Sequence, residues 1–220
     1  MRVVVVSDTH GAHEDLGILE GDVLIHCGDH ENLFTPNAGI LDAIDDWFAR
    51  QRFSLILCTG GNHDIELQRR VATGRSPFRN AIYLQDEAVT FRGLKFWGAP
   101  WVPVLSGHAF FADDAMLAAA WAGIPEDVNV LITHTPPAGV LDVSSAGIAL
   151  GCEHLAARLA QIRPMLHCFG HVHASAGTRR VAGTTFANAT SVNSKYQIAR
   201  PAWGIDLPDG QHRMKIGYGE

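Results

Sequence analysis

The 220-residue chain lacks any apolar run long enough to cross a bilayer. Its most hydrophobic stretches, residues 3–6 and 55–58, have the length of β-strands and give way to polar residues. The N-terminus also lacks the longer apolar segment and the small-residue cleavage site of a signal peptide, because Ser7 and Asp8 follow the valines at once. We therefore expect a cytoplasmic protein with no membrane partner.

Cysteine is scarce, and none of the cysteines forms a C-x-x-C pair. The four are Cys27, Cys58, Cys152 and Cys168. Most of them lie in or at the end of apolar runs, where a free cysteine behaves as a small hydrophobic residue. We expect reduced core residues, because neither a disulfide framework nor a zinc knuckle fits this spacing.

The sequence also lacks a block rich in lysine and arginine, and its formal net charge is −6. This charge balance disfavours the usual basic surface for a nucleic acid duplex. A phosphate ligand would therefore need a source of positive charge other than a basic patch.

What the chain does have is a regular alternation of short β-branched runs with longer amphipathic or alanine-rich segments. We predict strands over residues 3–6, 23–26, 55–57, 94–97, 128–133, 166–169, 184–187, 203–206 and 213–216, and helices over residues 38–50, 64–71, 113–122 and 151–162. Strands separated by helices predict an α/β fold, and the strand-rich end predicts C-terminal antiparallel additions. Length and the absence of repeats or linkers favour a single domain over residues 1–220.

Short polar motifs follow directly on several predicted strands. They are Asp8-Thr9-His10, Gly28-Asp29, Gly60-Gly61-Asn62-His63-Asp64, His134, and Gly170-His171-Val172-His173. In open α/β sheets the carboxyl ends of the strands form the ligand crevice, so we expect these motifs to converge. If the H-x-H string is extended, both of its imidazoles point to one side.

Each motif alone is weak, since a D-x-H pair often serves as a turn or a helix cap. Together they supply seven oxygen or nitrogen donors and no thiolate, which suits borderline or hard cations. Seven donors exceed what one tetrahedral zinc ion needs. The set predicts two adjacent metal ions that share a carboxylate.

In this order, D-x-H, G-D, G-N-H-D, a lone histidine and G-H-x-H resemble the motifs of the calcineurin-like metallophosphoesterases, over residues 8–173. Strings at residues 83–86, 97–101 and 133–137 are similar to the branch of the metallophosphoesterase-domain (MPPED) proteins, which resembles class III cyclic nucleotide phosphodiesterases. Thr135 and His30 depart from the usual pattern without removing a ligand. The resemblance implies a two-sheet β-sandwich flanked by helices, the metallo-dependent phosphatase fold.

The resemblance also implies how the ligands divide between two ions. The first ion would be held by Asp8, His10 and His173, and the second by Asn62, His134 and His171, with Asp29 bridging them. Manganese, iron and zinc all accept such ligands. The cations would then attract the phosphate, which answers the lack of a basic patch.

Two further residues have implied catalytic roles. His63 would face the phosphoryl group and donate a proton to the leaving oxygen, oriented by Asp64. The attacking group would be a hydroxide shared by the two metals. The expected reaction is hydrolysis of a small phosphodiester, with a cyclic nucleotide as one candidate substrate.

Other functions remain open at this point. A phosphomonoesterase and a nuclease share this set of ligands, although the acidic chain disfavours a nuclease. A non-catalytic scaffold of the same fold is a second alternative. A single-metal hydrolase of the metallo-β-lactamase kind fails, because His10, His13 and Asp15 do not form its H-x-H-x-D-H string.

The surroundings of the site are less defined by the sequence. Loops over residues 32–37, 74–80 and 101–107 are expected to frame the pocket, and Arg75 and Arg79 are candidates for phosphate contact. His26 is expected in the core, whereas His30 is a candidate for contact with the substrate or with a ligand. The remaining histidines are expected at the surface or in packing: His13, His108, His154, His167 and His212. The oligomeric state is left open.

Overall fold

The computed structural model describes residues 1–35 and 37–209. The strands are β1 (Arg2–Val6), β2 (Val23–His26), β3 (Leu55–Cys58), β4 (Ile82–Tyr83), β5 (Glu87–Phe91), β6 (Leu94–Ala99), β7 (Val130–Thr133), β8 (Leu166–Phe169), β9 (Gly177–Val181), β10 (Thr184–Asn188) and β11 (Trp203–Asp206). The α-helices are α1 (Ile40–Arg50), α2 (Ile65–Val71), α3 (Asp114–Ala122) and α4 (Glu153–Ile162). Short 3-10 turns span His13–Leu16 and His173–Ser175.

The strands form two mixed sheets. One has the order β11-β1-β2-β3-β4 and the other the order β5-β6-β7-β8-β10-β9. β1, β2 and β3 run parallel, as do β6, β7, β8 and β10, whereas β5, β9 and β11 pair antiparallel at the edges. The predicted α/β class with antiparallel additions is confirmed.

The alternation of side chains along β1 shows how the layers stack. Val3 and Val5 pack between the two sheets, against residues such as Phe96 of β6. Val4 and Val6 face the other way, towards α1 and residues such as Ile44. A strand covered on both faces needs apolar residues at every position, which explains the uninterrupted valine run.

The outer layers are helical. The far face of the second sheet packs on α3 and α4, where Trp97 meets Trp121 at 6.5 Å between ring centroids. α3 begins after Asp113, whose carboxylate accepts the N–H of Met116 at 2.9 Å as an N-cap. The order of layers is therefore helix, sheet, sheet, helix, which confirms the predicted sandwich flanked by helices.

The predicted elements agree with the structure to within about two residues at their ends, and β4, β5 and β9 were missed. β5 and β9 are edge strands with mostly exposed residues, so they have little of the apolar pattern that predicts a strand. The strand predicted over residues 213–216 lies outside the described residues, as does His212. All four cysteines are free and buried, as expected. No helix in residues 1–35 and 37–209 has the length and apolarity needed to span a membrane.

The core also contains a histidine that stays neutral. His167 on β8 is fully buried, and its Nε2 lies 2.8 Å from the Thr133 hydroxyl. That hydroxyl donates to the carbonyl of Thr135 at 2.7 Å, so the Nε2–H of His167 is the donor to Thr133. Burial lowers the pKa of His167 to about 3.

This histidine makes the fold sensitive to acid. The folded pKa lies below the unfolded value of about 6.5, so only the unfolded chain takes up this proton as the pH falls from about 6.5 towards 3. In metal-free protein the unfolding free energy, measured with urea, should fall as the pH is lowered from 6.5 to 5. We expect His167→Gln to make this fall smaller by up to ~1.4 kcal/mol per pH unit. The control His154→Gln, at a partly exposed histidine, should keep the wild-type slope. If the unfolding free energies of His167→Gln and wild type changed equally with pH, His167 would not be a neutral histidine in the core.

Candidate metal centre

The strand ends place the predicted donors at one end of the sandwich. Asp8 and His10 follow β1, and their N–H groups donate to the carbonyls of Gly28 and Asp29 at 2.9 and 3.0 Å. These bonds tie the segment after β1 to the segment after β2. The motifs that follow these two neighbouring strands therefore lie side by side.

One set of donors surrounds Asp8. Its Oδ1 lies 3.2 Å from Nε2 of His173, and Nε2 of His10 lies 3.3 Å from the same nitrogen. Ligand atoms of these three residues all lie within 4.8 Å of one another. The trio forms one candidate cation site.

A second set surrounds Asn62. Its Oδ1 lies 3.1 Å from Nε2 of His134 and 2.9 Å from Nδ1 of His171. Asp29 lies between the two sets, because its Oδ2 is 3.5 Å from Nε2 of His134 and 3.8 Å from Nε2 of His10. The structure thus brings all the predicted donors into one cluster, with Asp29 at its middle.

Hydrogen bonds on the far side of two imidazoles aim them at the cluster. Nδ1 of His10 bonds the carbonyl of Glu31 at 3.0 Å, and Nδ1 of His134 bonds the carbonyl of Cys27 at 2.9 Å. A carbonyl only accepts, so Nδ1 carries the proton and Nε2 faces the cluster. Such outer contacts fix the tautomer that a metal requires.

The charges of the cluster also fit a cation. Asp8 and Asp29 are buried, and their only ion-pair partners among the described residues are histidines. Burial raises the pKa of both carboxyl groups, but His173 beside Asp8 and His134 beside Asp29 outweigh it and hold both pKa values below the ordinary range. Burial lowers the pKa of His134, yet Asp29 raises it to about 9. In the protein alone, a proton provides positive charge here, which a metal ion could replace.

The backbone is unusual at these positions. Asp8, His10, Asp29 and His171 all have positive φ, between 45° and 68°. Such conformations are costly for residues other than glycine and cluster at functional sites. They aim the side chains sharply away from the strand direction and into the crevice.

The geometry corrects one prediction about the H-x-H string. His171 has a φ of 68° and His173 begins a 3-10 turn, so the segment is not extended. The two rings consequently reach different partners, Asn62 and Asp8. The period-two rule failed because the chain turns as soon as β8 ends.

Two glycines permit the close approach of the carboxylates. A Cβ on Gly170 would lie 2.0 Å from Oδ2 of Asp8, and one on Gly61 would lie 2.3 Å from Oδ1 of Asp29. Neither position accepts a side chain without displacing an acidic donor.

Asp64 has a different role from the predicted one. Its carboxylate accepts the N–H groups of Asp29, Gly61 and Glu31 at 2.8–2.9 Å and contacts Nδ1 of His30 at 3.0 Å. Within residues 1–35 and 37–209 it makes no hydrogen bond to the ring of His63. The expectation that Asp64 orients His63 is therefore corrected: Asp64 holds together the loops that carry Asp29 and Asn62.

His63 itself lies at the edge of the cluster. Its N–H donates to Oδ1 of Asp29 at 2.8 Å, and its ring centroid is 4.6 Å from that of His10. Nδ1 accepts the N–H of Leu33 at 3.5 Å, which leaves the proton on Nε2. Burial lowers the pKa of His63, partly offset by Asp29. A phosphate beside it would raise the pKa again, because a negative charge favours the imidazolium.

The remaining predictions had mixed outcomes. Arg79 forms an ion pair with Asp45 of α1 at 3.0 Å, so its side chain lies beside α1 and not at the cluster. His26 and His13 are buried, and His30 contacts the buried Asp64. A groove of about 610 Å³ borders His10 and is lined partly by residues 31–33, 35 and 37–42. The expectation of a pocket wall near residues 32–37 agrees with this lining.

Sequence reasoning missed several contacts of the site. The Thr190 hydroxyl donates to Oδ2 of Asp8 at 2.9 Å, and the ring centroid of Tyr196 lies 4.7 Å from that of His10. Both residues lie after β10, and neither belongs to a motif. The pairing of β10 with β8 and the bridge between Ser7 and Thr190 bring this segment beside Asp8.

Comparison with known proteins agrees with this geometry. Residues 1–175 match the model of the calcineurin-like phosphoesterase family. The chain belongs to this family. Human metallophosphoesterase domain-containing protein 1 is 33% identical over 233 residues, covering 94% of this chain and 71% of the relative. A UPF0046 protein of Caenorhabditis elegans is 36% identical over 215 residues, covering 90% and 72%. The branch inferred from the motifs is thus confirmed.

Solved structures share the calcineurin-like fold at low identity. Phosphopantetheinyl hydrolase of Mycobacterium tuberculosis has a TM-score of 0.58 at 15% identity, covering 88% of this chain and 90% of the other. GAP50, the anchor in the inner membrane complex of Plasmodium, has a TM-score of 0.51 at 11% identity, covering 87% and 71%. The likeness establishes the fold, and the family assignment supports a metal-dependent hydrolase of phosphate esters.

The corrected role of Asp64 gives a testable consequence. In Asp64→Asn an NH2 group replaces one of the carboxylate oxygens that accept backbone N–H groups. We therefore expect metal-free protein to lose about 2–4 kcal/mol of unfolding free energy. Urea unfolding measures this loss, and Asp114→Asn, at an exposed carboxylate, should change it by less than about 0.5 kcal/mol. Wild-type stability together with lost hydrolysis would restore the orienting role.

Proposed function

We propose that the chain hydrolyses a small phosphodiester at two cations held by this cluster. The observation that carries the proposal is the position of Asp29, whose Oδ2 lies between the Asp8 set and the Asn62 set. One ion would be held by Asp8, His10 and His173 and the other by Asn62, His134 and His171, with Asp29 shared between them. Manganese, iron and zinc all suit this nitrogen and oxygen ligand set.

The cations would supply Lewis acidity, drawing charge from the phosphoryl oxygens and lowering the pKa of water at the centre. The chain supplies the remaining functions. Asp29 accepts the N–H of His63 at 2.8 Å and so holds that residue beside the centre. When a bound phosphate favours the imidazolium form of His63, its Nε2 proton can pass to the oxygen that leaves phosphorus, and a neutral imidazole remains.

The charge of the centre favours a diester over a monoester. Among the described residues, the contacts of the seven donors and of His63 include no lysine or arginine. A monoester dianion brings one more negative charge than a diester, and among these contacts no lysine or arginine adds to the positive charge that the cations would supply. A cyclic phosphodiester meets the same requirement.

Distances alone do not separate His63 from the ligands. A ring nitrogen of His63 lies within 4.8 Å of donor atoms of His10 and Asp29. The family resemblance assigns His63 to proton donation, and a variant can test that assignment. A ligand role predicts loss of metal, whereas a proton-donor role predicts loss of rate alone.

The test uses manganese-loaded protein and three substrates: ethyl p-nitrophenyl phosphate, diethyl phosphate and p-nitrophenyl phosphate. We expect the aryl diester to be hydrolysed with a higher kcat/KM than the monoester. His63→Ala should keep both metals and should slow alkyl-ester cleavage by ~10²-fold or more, because an alkoxide needs the proton. The p-nitrophenolate reaction should slow less, since that group leaves without protonation.

The matched control is His154→Ala, at a partly exposed histidine on α4 that pairs with Asp114. It should retain wild-type kcat and metal content. Equal slowing of aryl and alkyl esters in His63→Ala would contradict the proton-donor role. A preference for the monoester would replace the diesterase with a phosphomonoesterase, and no hydrolysis of any ester would favour the scaffold.

A further inference from the structure

Two aromatic rings stand at the mouth of the centre beside His63. The Phe34 centroid lies 5.8 Å from that of His63, and the Tyr196 centroid lies 6.2 Å from it. Phe34 and Tyr196 are themselves 5.8 Å apart. The three rings therefore form one continuous aromatic surface, and 71% of Phe34 is exposed.

Tyr196 also covers the outer side of the first donor set. Its ring meets the ring of His10 edge-on, with 4.7 Å between centroids, and lies 5.9 Å from the ring of His173. A substituent that extends from a phosphate bound at this centre towards solvent would therefore contact Tyr196.

The segment that carries Tyr196 is anchored firmly. The Tyr196 N–H donates to the carbonyl of Asn193 at 3.0 Å, and the Asn193 N–H donates to the carbonyl of Gln197 at 2.9 Å. Ser191 at the base of this turn donates to the carbonyl of Ser7 at 2.9 Å, next to Asp8. The position of the ring is thus tied to the backbone of the metal centre.

The turn itself does not require a tyrosine. Tyr196 has a φ of 58°, a conformation that glycine or asparagine adopts at lower cost. An aromatic residue held in a costly conformation over a site points to a use for its ring. Tyr196 also lies beyond residues 1–175, which match the family, so membership of the family does not explain a tyrosine at this position.

We propose that Phe34 and Tyr196 are specificity residues that pack against a planar ring carried by the phosphoester, one through its face and the other through its edge. The inference rests on the proposed function and narrows it to esters with an aromatic or heteroaromatic substituent near phosphorus. Both rings sit beside His63, so the planar group binds on the side of the centre where the ester oxygen leaves. Stacking on an aromatic side chain strengthens binding by roughly 10-fold per ring.

The experiment measures binding, independently of hydrolysis. Phosphonates keep a charged phosphorus group but have a C–P bond that this chemistry does not cleave, and titrations below their second pKa compare them as monoanions, the charge that a diester carries. Isothermal titration of manganese-loaded protein with methylphosphonate, cyclohexylphosphonate, phenylphosphonate and the phosphonate analogue of adenosine 5′-monophosphate separates charge, bulk and planarity. The last two distinguish a simple aryl group from a nucleobase.

We expect at least one planar phosphonate to bind about 10-fold more tightly than cyclohexylphosphonate. Phe34→Leu and Tyr196→Leu should each reduce that preference, the double variant should abolish it, and each single variant should change methylphosphonate affinity by less than about twofold. Tyr196→Phe keeps the ring and should keep the preference. These changes would identify a stacking surface, because loss of apolar area alone would weaken cyclohexylphosphonate equally.

Equal affinity for planar and cyclohexyl ligands, or no detectable binding of the planar ones, overturns the inference. So does a preference that survives both leucine variants. Hydrolysis of diesters without a ring preference leaves the proposed function standing and removes only this inference. A preference for planar ligands in a protein that hydrolyses no ester would support the aromatic surface and remove the proposed hydrolysis.

Discussion

The burial of two carboxylates where the two sheets meet is the constraint on which the site depends. Asp8 and Asp29 are almost fully buried, and histidines are their ion-pair partners in the described part of the chain. An ionised carboxylate in such a place is costly unless positive charge compensates it. Protons on neighbouring imidazoles can provide some of this charge, and bound cations would provide more. With cations bound there, the acidic chain would have a centre that attracts phosphate without a basic surface.

Much of the surrounding structure serves to hold these carboxylates in place. Left-handed backbone at Asp8 and Asp29 aims their side chains into the crevice, and Gly61 and Gly170 leave room for the carboxylate oxygens. Asp64 gathers three backbone N–H groups and fixes the adjoining loops. The strain is offset by packing on both faces of the sheets, because the layers on either side restrict how the strand ends can move.

The sequence predicted the fold and the convergence of the donors well, because both follow from strands that are apolar on both faces and end in polar motifs. It failed where position depends on turns: His171 leaves the extended conformation at once, and Asp64 bonds backbone groups from other segments. Tyr196 was beyond prediction, since a lone tyrosine in a turn carries no motif and its place is set by strand pairing. Edge strands β5 and β9 were missed because their exposed, charged positions hide the strand pattern.

The central claim is that the cluster holds two cations on either side of Asp29. Anomalous diffraction from crystals grown with manganese, recorded on both sides of the metal absorption edge, tests this claim without any substrate. The account predicts two anomalous peaks, one contacted by Asp8, His10 and His173 and the other by Asn62, His134 and His171, with Asp29 touching both. A single peak, peaks that do not share Asp29, or no peak at the cluster would contradict it.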